Sequence, residues 1–173
     1  KEMQKSIHDQ MGGMVIKILP FVLRLTLDGL AGKHDVAKKR RMGEAFGEYG
    51  RDIGLAFQIV DDLLDYTGSA ATGKNIGDDF RERKLTLPMI KAIAAADESE
   101  RAFWHKCIAK GQQEAQDLSH AIALMTRHGT LEATRAQALY WAEQAKSALK
   151  DLPDHPLKPV LKDLSDYVVA RLN

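Results

Sequence analysis

The chain has 173 residues, 45% of them hydrophobic, and a formal net charge of +1. That length gives one domain with enough apolar material for a substantial core, and the near-neutral balance gives no field that would favour nucleic acid or an acidic membrane surface. The single cysteine, Cys107, excludes an internal disulfide, no signal peptide is recognisable, and the most apolar stretch, residues 15–30, is too interrupted by Lys17, Pro20, Arg24 and Asp28 to span a membrane, so the chain reads as soluble and cytoplasmic.

Helical periodicity dominates, and no stretch alternates as a strand with hairpin turn signals, which predicts an all-α fold. Residues 3–30 read as helical material broken by Gly12-Gly13 and by Pro20, and residues 1–28 form an unassigned helical segment. Asp35 caps a long helix through Tyr66. On that helix Lys38-Lys39-Arg40-Arg41 reads as a solvated basic turn. A loop follows from Thr67 to Lys84, longer than a compact domain usually carries without a function. The helix that resumes has Thr86 as its cap and Pro88 in its first turn, and runs to about Ala96. Ser99 caps the next, through Lys110, and Gly111 ends it. Further helices are predicted from Gln112 to His128, from Thr130 to about Lys150, and from Pro156 through Leu172. Ala138, Leu139, Trp141, Ala142 and Ala145 recur at helical spacing and read as core. His120, His128 and His155 are isolated and read as surface or capping residues.

The centre of the chain is Phe57-Gln58-Ile59-Val60-Asp61-Asp62-Leu63-Leu64-Asp65. At 100° per residue, Gly43, Gly47, Gly50, Gly54, Gln58, Asp61 and Asp65 fall on one stripe, with Asp62 a quarter-turn away and apolar residues elsewhere. The glycines leave room for a close approach at one end, and carboxylates mark the other. Like charges at i and i+4 cost about 0.2–0.5 kcal/mol even in water, and more in an apolar setting. No lysine or arginine lies within a turn on that stripe, so something positive is expected to face it. Oxygen donors without histidine or thiolate suit a hard cation, and magnesium, commonly completed by substrate phosphates, is the natural one. A di-iron bundle would need Glu-x-x-His pairs, which are absent.

The loop contains Gly68-Ser-Ala-Ala-Thr-Gly73-Lys74, which has P-loop spacing, but Asn75 stands where the magnesium-binding hydroxyl belongs, and a helix precedes it in place of a strand. A nucleotide site is therefore discarded. What remains is Lys74 and Lys84 flanking a glycine-permitted loop after a metal-type carboxylate stripe, a combination suited to cradling a diphosphate.

Phe57-Gln58 running into Asp61-Asp62-Leu63-Leu64-Asp65, then Gly73-Lys74, Gly77-Asp78 and Lys84-Leu85-Thr86-Leu87-Pro88, resembles the second aspartate-rich region of trans-type isoprenyl diphosphate synthases. The resemblance extends over residues 29–173 and is greatest to bacterial long-chain enzymes of the octaprenyl or decaprenyl type. It implies an all-α helical bundle of the isoprenoid synthase type around a deep cavity. It also implies a prenyltransferase of isoprenoid biosynthesis that condenses isopentenyl diphosphate with an allylic prenyl diphosphate. Carried over by resemblance, Asp61, Asp62 and Asp65 are the magnesium ligands, Lys74 holds the allylic diphosphate, Lys84 is a further basic position, and Phe57 and Gln58 lie near the condensing carbons. Gln58 and Lys74 are the residues implied to act in the reaction.

The first aspartate-rich motif of that family has no counterpart in residues 1–53, nor has the Lys-Thr pair expected before the long helix. The chain is therefore expected to be the C-terminal half of such an enzyme, without its N-terminal helices, inactive alone, and a homodimer or dependent on an N-terminal half. The alternative is a diphosphate-binding or assembly module. Neither reading involves nucleic acid or a membrane span.

Overall fold

The computed structural model describes residues 36–68 and 76–172. The segment 1–28, Lys74 and Asn173 lie outside the described residues. Within them every regular element is a helix, as the periodicity predicts: α1 Val36–Thr67, α2 Asp78–Arg81, α3 Leu87–Ala95, α4 Glu98–Trp104 continued by a π-helical turn His105–Ala109, α5 Asp117–Arg127, α6 Thr130–Ala148 and α7 Leu157–Ala170. These elements divide into two compact units, one built from residues 36–58 and 138–171, the other from residues 59–137 with Leu172.

In the first unit the apolar side of α1 contributes Met42, Tyr49, Ile53 and Ala56, and α6 contributes Ala138, Ala142 and Ala145, all buried. Small residues on α6 allow close helix packing, and Leu161 and Val168 of α7 complete this core. The Tyr49 hydroxyl donates to the Leu161 carbonyl at 2.8 Å, and burial holds its phenol above its ordinary range. Lys146 of α6 pairs with Asp166 of α7 at 2.7 Å. The ammonium of Lys158 donates to the carbonyls of Lys150 and Leu152 at 3.0 and 2.7 Å. It thereby satisfies carbonyls of the turn that follows α6. His155 accepts the N–H of Leu157, the first residue of α7, through Nδ1 at 3.2 Å.

The second unit closes on a core of Tyr66, Phe80, Met89, Ala92, Ala96, Trp104, Cys107, Ala121, Leu124 and Met125. Truncating a fully buried member such as Met125 or Met89 to alanine costs about 2–5 kcal/mol, the lost transfer energy plus the cavity.

Several helix ends differ from the sequence reading. The α4 cap is Asp97, not Ser99: its carboxylate accepts the Glu100 N–H, and Glu100 reaches back to the Asp97 N–H, a reciprocal capping box. Ser99 serves that cap by donating to Asp97 at 2.7 Å. Thr86 occupies the cap position of α3 without a side-chain capping bond, because its hydroxyl is paired with that of Tyr66 at 3.0 Å. Helix α5 begins at Asp117, five residues later than the predicted Gln112. The intervening Gln113 donates instead to the carbonyls of Phe80 and Cys107 at 2.9 and 3.2 Å. His128 is the C-cap of α5, the capping role among the two read for it, and is half-buried with its ring 2.8 Å from Glu100. Gly43, Gly47 and Gly50 have no atom within 4 Å of where a Cβ would stand.

Candidate functional site

The last two turns of α1, from Asp61 to Thr67, carry the carboxylates in the second unit. Their burial is graded: Asp61 and Asp62 are half-buried, while Asp65 is 4% exposed. A buried carboxylate needs compensation, and among the described residues it comes from backbone amides. Asp65 Oδ1 accepts the N–H of Asp78 at 3.2 Å, and Oδ2 accepts the N–H of Asp79 at 3.1 Å. The backbone carbonyl of Asp65 accepts the N–H of Gly77 at 2.8 Å. One residue thus receives three consecutive amides at the start of α2, where a helix leaves its N–H groups unsatisfied.

Those amides converge because Gly77 sits at φ +82, a left-handed conformation that favours glycine. Part of the predicted loop is consequently helical: α2 is a four-residue turn between its two ends. Its far end closes in a Schellman arrangement, with the Lys84 N–H donating to the Asp79 carbonyl at 2.9 Å and the Arg83 N–H to the Phe80 carbonyl at 3.0 Å. The left-handed position of that motif, φ 59, is held by Arg83, where glycine is the usual choice. The contact that commonly accompanies the motif is apolar. Here it is ionic, with Lys84 Nζ 3.0 Å from Asp79 Oδ1 and 2.7 Å from Glu82 Oε2.

The electrostatics follow from that geometry. Burial, with the charges of Asp79 and Asp78 next in line, raises the Asp65 carboxyl to about 6, against the opposing pull of the two amides. Hydrogen bonds to Glu82 and Asp79 hold the Lys84 ammonium above its ordinary range, so it is charged at neutral pH. Asp78 is paired with Arg81 at 2.8 Å. Asp62 Oδ2 accepts the Leu87 N–H at 3.2 Å, which serves the first turn of α3. Burial holds the Tyr66 phenol above its ordinary range beside Thr86.

The structure therefore brings together Asp65, Asp78, Asp79 and Lys84, with Asp61 and Asp62 on the same helical turns. Phe57 and Gln58 fall in the first unit, where the Phe57 ring lies 5.5 Å from the Arg171 guanidinium carbon. Lys74 lies outside the described residues. Sequence reasoning left out Asp79. Its signal was the Asp79-to-Lys84 spacing across a four-residue helix, legible only once α2 is known to exist. Among the described residues no group of three or more histidine, cysteine, aspartate or glutamate side chains is arranged to enclose a metal ion. The donor set is carboxylate oxygen, partly engaged by backbone amides. It fits a hard cation completed by water and phosphate, and does not fit an all-protein cage.

Comparison with known proteins agrees with the architecture. The polyprenyl synthetase family model matches residues 25–125. The octaprenyl diphosphate synthase of Haemophilus influenzae is 38% identical over 130 residues, covering 74% of this chain and 39% of that enzyme. The crystal structure of a decaprenyl diphosphate synthase from Rhodobacter capsulatus superposes with a TM-score of 0.71 at 47% identity, over 99% of this chain and 60% of that one. The polyprenyl synthase of Caulobacter crescentus, solved with calcium and isoprenyl diphosphate, superposes with a TM-score of 0.70 at 32% identity, over 97% of this chain and 59% of that one. The chain thus spans about two-fifths of the length of the curated relatives it matches. Among the described residues no helix is long and apolar enough to cross a membrane. With more than half of its residues matched by the family model and its helices superposing on solved members, the chain belongs to the polyprenyl synthetase family.

Proposed function

We propose that this chain carries the diphosphate-binding side of a prenyltransferase centre, in which isopentenyl diphosphate condenses with an allylic prenyl diphosphate. The observation that carries the reading is the doubly closed turn α2, which fixes Asp79 and the charged Lys84 against the end of the Asp61-Asp62-x-x-Asp65 stripe. The neighbour from Caulobacter crescentus, solved with a divalent cation and isoprenyl diphosphate, supports the ligand class.

Asp61 and Asp62, the partly buried carboxylates of the stripe, would hold magnesium, with Asp65 behind them. Bound there, the metal would supply positive charge to the departing diphosphate. The chain's own residues have distinct tasks. Lys84 is 57% exposed in its side chain, so exchanging a carboxylate partner for a diphosphate oxygen costs little. Lys74 is assigned to the same anion by the family resemblance. The Phe57 face and the Gln58 amide oxygen are assigned to the reacting prenyl carbons, where each can stabilise positive charge.

Titration calorimetry with inorganic diphosphate, with and without magnesium, tests the reading. Magnesium-dependent binding that Asp61→Ala weakens at least tenfold is the expected result. Equal affinity in both conditions overturns it.

A further inference from the structure

We infer that Asp65 is a positioning residue and not a ligand of the magnesium diphosphate, even though it completes the Asp-Asp-x-x-Asp spacing. This rests on the proposed diphosphate site. Both of its carboxylate oxygens accept backbone N–H groups, from Asp78 and Asp79, and only 4% of the residue is exposed. A metal ligand needs an oxygen presented to the ion, and this carboxylate is turned into the start of α2. Asp61 and Asp62, one turn earlier, are only partly buried on the same helix.

The consequence runs along the turn. Asp65 fixes the Asp79 amide, and α2 is too short to hold itself, because a single helical turn fixes several dihedrals for few hydrogen bonds. Its far end is closed by the Asp79 to Lys84 backbone bond at 2.9 Å and the 3.0 Å ion pair between the same two residues. Releasing Asp65 therefore frees the Asp79 backbone, and with it the placement of the Lys84 ammonium. Asp65 acts on the diphosphate through Lys84, at a distance of two hydrogen-bonded steps.

Two measurements on the whole chain separate this role from ligation. The first is amide hydrogen exchange without metal, in wild type, Asp65→Ala and Asp65→Asn. Faster exchange at the Asp78 and Asp79 amides, at least tenfold in Asp65→Ala and smaller in Asp65→Asn, which keeps one acceptor oxygen, is expected. Unchanged exchange there in Asp65→Ala overturns the proposal, since a ligand carboxylate has no task before metal arrives. The second is manganese affinity in the presence of excess diphosphate, read by the paramagnetic resonance of the unbound ion, together with the diphosphate affinity at saturating manganese. Asp65→Asn should keep its manganese affinity within threefold of wild type while Asp61→Asn loses at least tenfold, and Asp65→Ala should lose diphosphate affinity about as far as Lys84→Met does. Equal manganese losses in Asp65→Asn and Asp61→Asn overturn it. If wild type binds no manganese diphosphate, the proposed function fails first and takes this role with it, whereas normal wild-type binding with the wrong Asp65 pattern refutes the positioning role alone.

Discussion

The ammonium of Lys84 stands 3.0 Å from the Asp79 carboxylate, whose own backbone amide is held by Asp65 at 3.1 Å. The pair is an anchor for a charge that remains partly open to solvent. Lys84→Met should weaken magnesium-dependent diphosphate binding by about tenfold, near 1.4 kcal/mol. Its effect on folding should stay below about 1 kcal/mol, because exposed ion pairs contribute little. Calorimetry and urea unfolding of the same preparation separate the two, and a large stability loss with unchanged affinity would contradict the role.

Gly77 starts the turn at φ +82, and a Cβ there would overlap both terminal methyl carbons of Leu118 and stand 3.0 Å from its Cγ. The branched end of Leu118, packed against the core of the second unit, would have to move as a whole, which adds to the cost of the backbone conformation. Gly77→Ala should destabilise the chain by about 1–3 kcal/mol, visible as a lower urea midpoint with an unchanged slope. Arg83, also in the left-handed region at φ 59, should respond in the opposite sense, with Arg83→Gly gaining up to about 1 kcal/mol.

Acid should destabilise this protein through three carboxylates. Backbone and side-chain hydrogen bonds hold Asp97, Glu100 and Asp117 below their ordinary values, led by the Glu100, Asp97 and Glu114 amides respectively. A depressed folded value means stability present above the unfolded value and lost as pH falls through the folded one. The loss should therefore set in below about pH 4.5, the ordinary glutamate value, and Glu100→Gln should make it shallower. Asp65 has the opposite sign: raised from 3.8 to about 6, it binds more proton folded than unfolded, so its contribution falls as pH rises across that window. Urea unfolding between pH 3 and pH 7 should show the two slopes partly cancelling between about pH 4 and pH 5.

Cys107 is fully buried, and burial, followed by the hydrogen bond to Asp117 at 3.5 Å, pushes its thiol up to about 11. The thiolate is the reactive form. Iodoacetamide at pH 8 should leave the folded chain unmodified over hours and label it within minutes in 6 M guanidinium, a contrast of at least about 100-fold. Prompt labelling of the native chain would show that the second unit opens readily.

The chain by itself should condense no prenyl diphosphate. In the proposed reaction the allylic diphosphate would be neutralised between two acidic clusters, and residues 1–53 contain no counterpart of the first motif. Losing even one donor to a developing oxyanion costs about 2.7–4 kcal/mol. A radiolabelled isopentenyl diphosphate assay, on the chain alone and mixed with a family N-terminal half, checks this, and turnover by the chain alone would show that a second copy supplies the missing ligands.

The sequence by itself determined the helices and the acidic stripe. Their 3.6-residue period is a property of local spacing, so α1, α3, α6 and α7 were legible to within a few residues. The capping residues were less so: Ser99 and Asp97 are both good caps by type, and only the reach of Glu100 back to the Asp97 amide decided between them. The role of Asp65 lay beyond that reading altogether. Spacing along one helix shows neighbours three and four residues away, and on that scale Asp65 had no partner but an implied cation. Its partners are the amides of Asp78 and Asp79, which arrive only after the chain leaves α1, turns at Gly77 and starts a new helix. Tertiary structure decided that point because backbone N–H groups are present at every residue and carry no mark in the sequence; which of them a buried carboxylate meets depends on where the returning chain is packed.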